Sequence, residues 1–338
     1  MTGETLVRAE GTSSRSRQAV IAGAILLAGT LALYIATLDN GLTLGELMGG
    51  DLITHHYAQA QARFANAPGY PLYTILGWLW FNLGKFLLGW AFNPVEILSL
   101  YSTLWAVAAL VVLYALLLNI TGERWLLAAA GTAFYAVTPL FWYYAVSSEQ
   151  YASTVFQMLL LCWLAFRWES DRRDSWLLWM AFVVGTCLAN LIPAVFIVPG
   201  LLIFLLWHDP GLLRRLGLIL RACGLALLPL LSYGYVYLRA AQRPDWLDLS
   251  RWPSVGAWFL EFLTAPQARE EMARALTGAG SNFPATVFDP LSWPVSLAGL
   301  IGWALLGRRK AALFYVTAAI YLAFYYVSVQ ALRVLGLE

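Results

Sequence analysis

"NAPGYPLY", residues 66–73, is the stretch on which the fold turns. It separates a polar segment, "GGDLITHHYAQAQARF" (49–64), from an apolar one, "TILGWLWFNLGKFLLGWAF" (74–92). Proline suits a first helical turn, where its missing N–H needs no partner, so Pro68 and Pro71 read as a helix start. By hydropathy alone, residues 71–90 could cross a bilayer. Whether they do sets the sidedness of everything that follows.

Charge gives the answer. Short cytoplasmic loops collect Lys and Arg. If 71–90 stays on the outer surface, one inner side receives Arg8, Arg15 and Arg17, then Arg124, Arg172, Arg173, Arg214, Arg215, Arg308, Arg309 and Lys310. If it crosses, every cluster after the first moves outside. The first layout is the expectation: a Trp- and Phe-rich helix resting in the outer interface with a single charge, Lys85.

The composition demands a membrane. Hydrophobic residues make up 60% of the 338 and charged ones 12%, with a mean hydropathy of +0.67. A soluble domain carries about 25% charged residues. The reading is an all-α polytopic membrane protein of about nine spans: 19–38, 95–119, 125–145, 151–168, 176–190, 192–207, 216–238, 291–306 and 311–332. Residues 1–18 form a cytoplasmic tail. A bacterial-type plasma membrane is expected, with outer loops 39–94 and 239–290. The two short spans around "NLIP" (190–193) form a hairpin that leaves an outer depression. The net charge of +2 says nothing about nucleic acid; no basic run is interleaved with aromatics, and nucleic acid is not expected as a partner. Cys162, Cys187 and Cys223 lie in apolar runs with no metal or redox spacing. No cofactor is indicated, though a divalent metal is compatible with the reading.

Few residues are left for chemistry. Asp51 follows Gly49 and Gly50 in "MGGDLITHH" and reads either as a general base or as a helix N-cap. Glu149, in "FWYYAVSSEQY" (141–151), reads either as a carboxylate orienting a substrate or as a first-turn acid beside a Ser147/Gln150 capping box. Lys85 and Arg239 suit a lipid phosphate and equally suit snorkelling to headgroups. Adjacent His55 and His56 point about 100° apart on a helix and form no i, i+4 metal pair. One of them fits a ligand hydrogen bond. Asn190 faces the depression or simply ends a helix, and Tyr70 sits in the Pro-Gly-Tyr-Pro turn itself.

The order of these pieces resembles a known family. An acid after the first span, "APGYPLYTILGWLWFNLG", and then "RWLLAAAGTAFYAVTPLFWYYAVSSEQYASTVF" are similar to the domain of unknown function 2723 family, which includes protein O-mannosyltransferase-like members. More distantly they resemble the GT-C membrane glycosyltransferases. "GTCLANLIPAVFIVPGLL", "YVYLRA" and "WFLEFLTAPQAREEM" extend the likeness over residues 19 to about 310. It implies a GT-C-like fold and sugar transfer from a polyprenyl-phosphate donor to an extracytoplasmic hydroxyl. Asp51 matches the acid of the family's Asp-Ser-Gly-Glu motif, Glu149 the acid of its Glu-Val-Tyr motif, and Arg239 its arginine. The chain departs at Ile53 and Thr54, where the family has Gly and Glu, and at Asn66, where it has His. Those departures keep a second expectation alive: a non-catalytic subunit of a larger complex, with other membrane proteins as partners. Otherwise the partners are the lipid-linked sugar donor and membrane lipids.

Overall fold

The computed structural model describes residues 3–42, 51–247 and 251–264, with isolated positions between 297 and 318; residues 3–16, 51, 192 and 193 are described at the backbone only. Apart from those isolated positions, the spans expected at 291–306 and 311–332 lie outside the described residues, as do loop residues 265–290. The chain forms two compact units. One comprises residues 1–192 and 222–247, the other 193–221 and 248–338.

The first unit is built around α4 (Pro94–Ile120). Its start is locked by a capping box. The Asn93 side chain accepts the N–H groups of Val95 and Glu96, each at 2.9 Å, and Glu96 Oε2 accepts the Asn93 N–H at 2.7 Å. Three otherwise unpaired donors are thus answered at once. The remaining helices are α1 (Gly3–Ala36), α2 (Asp51–Gln61), α3 (Pro71–Leu88), α5 (Trp125–Ala136), α6 (Pro139–Val146), α7 (Tyr151–Asp171) and α8 (Asp174–Leu188). α4 packs against α1, α3, α5, α6 and α7. Its contact with α1 depends on a small residue. A Cβ at Gly23 would lie 2.7 Å from the Tyr114 ring, whose hydroxyl donates to the Ala19 carbonyl at 2.7 Å. The core beside it joins Tyr34, Ala106, Leu110, Ala136, Phe141 and Ala152. These alanines let helices approach closely.

The span expected at 125–145 is broken. α5 and α6 meet at 69°, because Pro139 cannot continue the helix that precedes it. The break is answered by a neighbour: Tyr34 Oη donates to the Ala136 carbonyl at 2.7 Å. Non-helical backbone in an apolar setting needs such a partner.

Among the described residues, three helices are long and apolar enough to cross a membrane: Arg17–Ala36, Pro94–Ile120 and Leu216–Gln242. The bent pair makes a fourth. The all-α, membrane-type class stands, while the count of nine does not emerge from these elements. Asp174–Leu188 and Ala194–His208 are helices of 10–17 residues, short as the "NLIP" hairpin suggested. α3 is not among the candidate spans. It is apolar on two faces. Tyr73, Thr74, Gly77, Phe81 and Gly84 are buried, while Leu79, Leu83, Phe86 and Leu87 are exposed. α10 (Leu216–Leu227) and α11 (Tyr233–Gln242) follow, separated by a 3₁₀ turn at Leu228–Ser232.

In the second unit, α9 (Val198–His208) leads to a 3₁₀ turn, Pro210–Arg214. Asp209 fixes that turn by accepting the Gly211 N–H at 3.0 Å and Arg215 Nη2 at 2.6 Å. In α12 (Val255–Thr264), Glu261 accepts the Trp252 indole N–H at 2.6 Å.

Candidate functional site

An apolar protein that buries polar side chains needs a reason to do so. Here they converge where α2, the start of α3, the 147–150 loop, the starts of α4 and α7, and the end of α8 meet. His55, Gln59, Thr74, Ser102, Ser148, Glu149, Gln150, Ser153 and Asn190 are all buried. The 69° bend brings the loop here, since α6 ends at Val146 directly before Ser147.

The connections run across helices. Ser102 Oγ donates to the Glu149 carbonyl at 3.0 Å and lies 2.8 Å from Tyr73 Oη. A serine has one hydroxyl proton, so Tyr73 donates to Ser102, which donates to Glu149. Burial pushes the Tyr73 phenol well above its ordinary value, which keeps it a donor. Gln59 Nε2 donates to Ser148 Oγ at 3.3 Å. Thr103 Oγ1 donates to the Ala145 carbonyl at 2.7 Å. On the α8 side, Asn190 Nδ2 reaches Ser153 Oγ at 2.8 Å, with Thr154 Oγ1 and Gln157 Oε1 each at 3.3 Å. The Leu72 N–H donates to the Ala189 carbonyl at 3.2 Å, joining the start of α3 to the end of α8.

The layer is under-satisfied. His55 Nδ1, His56 Nε2, Gln59 Oε1, Asn190 Oδ1, Gln150 Oε1, Tyr101 Oη and Trp105 Nε1 are buried without a hydrogen-bond partner among the described residues. Unmade buried hydrogen bonds cost about 1–3 kcal/mol each, and their concentration here marks the site. An apolar cavity of about 280 Å³ adjoins the layer, bounded by Leu76, Tyr101, Trp105, Phe156, Phe182 and Asn190.

The residues named from sequence divide in three. His55, Tyr70, Glu149 and Asn190 come together. The His55 ring lies 5.4 Å from Tyr70 and 5.9 Å from Tyr73. It is 1% exposed, and burial, assisted by neighbouring His56, lowers its pKa to about 4. His56 is also lowered by burial, although the negative charge of Asp39 pulls the other way. Asp39 was not singled out in the sequence. Its Oδ1 accepts the Gly41 N–H at 2.9 Å while Oδ2 is buried and unpartnered among the described residues. Tyr70 is the residue before α3, with left-handed backbone (φ 40°). Asn190 follows α8 and lines the cavity.

Asp51 is the first residue of α2. Its side chain is outside the described residues. One turn along, His55 shares its helix face. The Ser147/Gln150 capping box does not form. Gln150 precedes α7 without a side-chain cap, and Ser147 Oγ donates back to the Tyr143 carbonyl at 2.8 Å.

The two cations lie apart from the layer. Lys85 is exposed in the last turn of α3, about 21 Å along the axis from Pro71 at 1.5 Å per residue. Arg239 is committed to α2. Its Nε donates to the Ala62 carbonyl at 2.6 Å, Nη2 to the Gln61 carbonyl at 3.4 Å, and Nη1 to Gln242 Oε1 at 2.8 Å. It caps the C-terminus of the helix that begins at Asp51. Two of its five N–H donors remain. Among the described residues, no group of three or more His, Cys, Asp or Glu side chains is arranged to hold a metal ion.

The comparison with known families bears on these elements. Residues 52–213 match the protein O-mannosyl-transferase TMEM260 N-terminal domain. The match spans just under half of the chain. It begins one residue after Asp51, takes in the whole buried layer from His55 to Asn190, and ends before Arg239. The likeness to O-mannosyltransferase-type proteins read from the sequence is met by this match over residues 52–213. No curated protein matches the chain.

Proposed function

We propose that the chain is a membrane glycosyltransferase that moves a sugar from a polyprenyl-phosphate donor to an acceptor hydroxyl outside the cytoplasm. One observation carries the reading: the segment similar to the O-mannosyl-transferase domain coincides with the under-satisfied polar layer beside an apolar cavity. A donor of this class has the same duality, a polar head on a hydrocarbon tail.

The reaction needs three services. The acceptor oxygen attacks the anomeric carbon as the carbon–oxygen bond to phosphate breaks, and the phosphate leaves with the electron pair. Asp51 takes the acceptor proton. The leaving phosphate requires a cation, for which Arg239 has two N–H groups left. Glu149 and neutral His55 orient the acceptor, with Tyr70 and Asn190 as further contacts. His56 stands beside them, and Lys85 fastens α3 to headgroups. A single displacement inverts the anomeric centre and uses one carboxylate.

The test is transfer of radiolabelled mannose from polyprenyl phosphate by the purified full chain in lipid. The wild type is expected to label acceptor, Asp51→Asn to abolish labelling with unchanged melting, and Glu149→Gln to reduce it. Full activity of Asp51→Asn removes it from the chemistry. The second reading, a non-catalytic subunit, draws on Ile53 and Thr54 standing where the family has Gly and Glu. It gains if the wild type is inactive and purifies in fixed stoichiometry with other chains.

A further inference from the structure

The first unit holds a cluster of cations of which the transfer chemistry uses only Arg239. Three guanidinium groups surround one indole. Arg63 lies 4.7 Å from the Trp246 ring centre, Arg243 4.7 Å and Arg239 5.2 Å. Phe64 packs edge-on to the same ring at 6.1 Å. Cation–π attraction explains one such contact. It does not explain three, because like charges gathered within about 10 Å, one Debye length, repel.

The local counter-charge falls short. Asp245 is bonded to Arg243 at 2.9 and 2.7 Å. Arg239 spends its hydrogen bonds on neutral oxygens. Arg63 shares the field of that same Asp245 but forms no ion pair among the described residues, so one carboxylate serves three guanidinium groups. The Arg63 backbone is held in place, with Tyr235 Oη donating to the Arg63 carbonyl at 3.3 Å. The cluster therefore keeps an excess of positive charge on a fixed frame.

Position indicates which anion would balance this charge. Arg243 and Trp246 lie immediately beyond the candidate span Leu216–Gln242. Tryptophan favours the headgroup level. The anion abundant at that depth is phosphate, and the planar guanidinium fork matches its oxygens. We propose that Arg63, Arg239 and Arg243, gathered on Trp246, bind the phosphate of a membrane lipid. Arg63 and Arg243 make the contact, and Arg239 frames it while capping α2. The phosphate can come from a bulk anionic phospholipid or from a polyprenyl phosphate. The inference shares the membrane placement of the proposed function and does not depend on transfer.

The experiment is native mass spectrometry of the full chain, delipidated in neutral detergent. It is titrated separately with dioleoylphosphatidylglycerol, undecaprenyl phosphate and dioleoylphosphatidylcholine. At least one anionic lipid is expected to bind more tightly than the zwitterionic one. Arg63→Ala and Arg243→Ala should each weaken that binding about tenfold, and Arg63→Lys by less. Preference for undecaprenyl phosphate assigns the site to the donor; preference for phosphatidylglycerol assigns it to the surrounding bilayer. Equal binding of all three lipids, or anionic-lipid binding unchanged in Arg63→Ala and Arg243→Ala, overturns the proposal. Asp51→Asn keeps the lipid even where transfer is lost, so the two ideas fail separately. Unchanged melting temperatures verify that the variants fold.

Discussion

The hydroxyls of Tyr73 and Ser102 lie 2.8 Å apart and form the first link of a relay that ends on the Glu149 carbonyl. The direction of that relay sets an order of damage. Tyr73→Phe removes the first donor and leaves Ser102 still bonded to Glu149, a loss of about 1 kcal/mol. Ser102→Ala strands both a buried phenol and a buried carbonyl, at about 1–3 kcal/mol for each. Thermal unfolding in detergent should therefore rank Ser102→Ala below Tyr73→Phe; the reverse order refutes the relay.

Gly77 of α3 makes room for the Gln59 side chain of α2. A Cβ there would lie 2.5 Å from Oε1 of the fully buried Gln59. Gly77→Ala is expected to destabilise by about 1–3 kcal/mol, as overpacking does. Gly29 has nothing within 4 Å of its own hypothetical Cβ, so Gly29→Ala should be neutral or slightly stabilising, by up to about 1 kcal/mol. Melting curves of the two variants make the comparison.

Arg239 ties α11 to the last carbonyls of α2. Lysine keeps the charge and lacks the fork that reaches two carbonyls. Arg239→Lys should raise amide hydrogen exchange across 51–63 without raising it in α4. A variant whose exchange matches wild type over 51–63 would separate Arg239 from α2.

His55 makes stability depend on pH. Its pKa falls from 6.5 in the unfolded chain to about 4 in the fold, because burial disfavours the imidazolium. Between those values the unfolded state binds more protons, so stability rises with pH. The contribution is complete above 6.5 and is lost as pH falls towards 4. It amounts to about 3 kcal/mol at most. His56 acts in the same sense. The melting temperature should drop between pH 7 and 5, and His55→Gln should flatten that slope. An unchanged slope in His55→Gln would show that other groups set it.

Much of the helical layout was legible because it is local. Pro71 begins α3 and Tyr151 begins α7 as read, since proline placement and hydrophobic runs act within a few residues. The 69° break was missed although Pro139 signals it, because the apolar run continues across it without a change of hydropathy. Asn93 and Glu96 also announce their capping box in sequence. The roles of Arg239 and Asp39 were not legible. Arg239 meets Ala62 from 177 residues away, and no local pattern encodes such a meeting. The same holds for Arg63, which gains interest only beside Trp246. Glu149, in the polar run Ser147–Gln150 between two apolar stretches, and Asn190, at the end of another, stand out in the sequence as polar residues beside apolar runs, a signal that needs no knowledge of the fold.

The Tyr34 hydroxyl holds the Ala136 carbonyl across 102 residues of chain. Ribosomes add about 5–20 residues per second, so Tyr34 is made roughly 5–20 s before its acceptor. The support is in place before the joint it steadies has been synthesised. Assembly of the Ser147–Gln150 turn can thus follow the order of translation, without waiting for the downstream third of the protein.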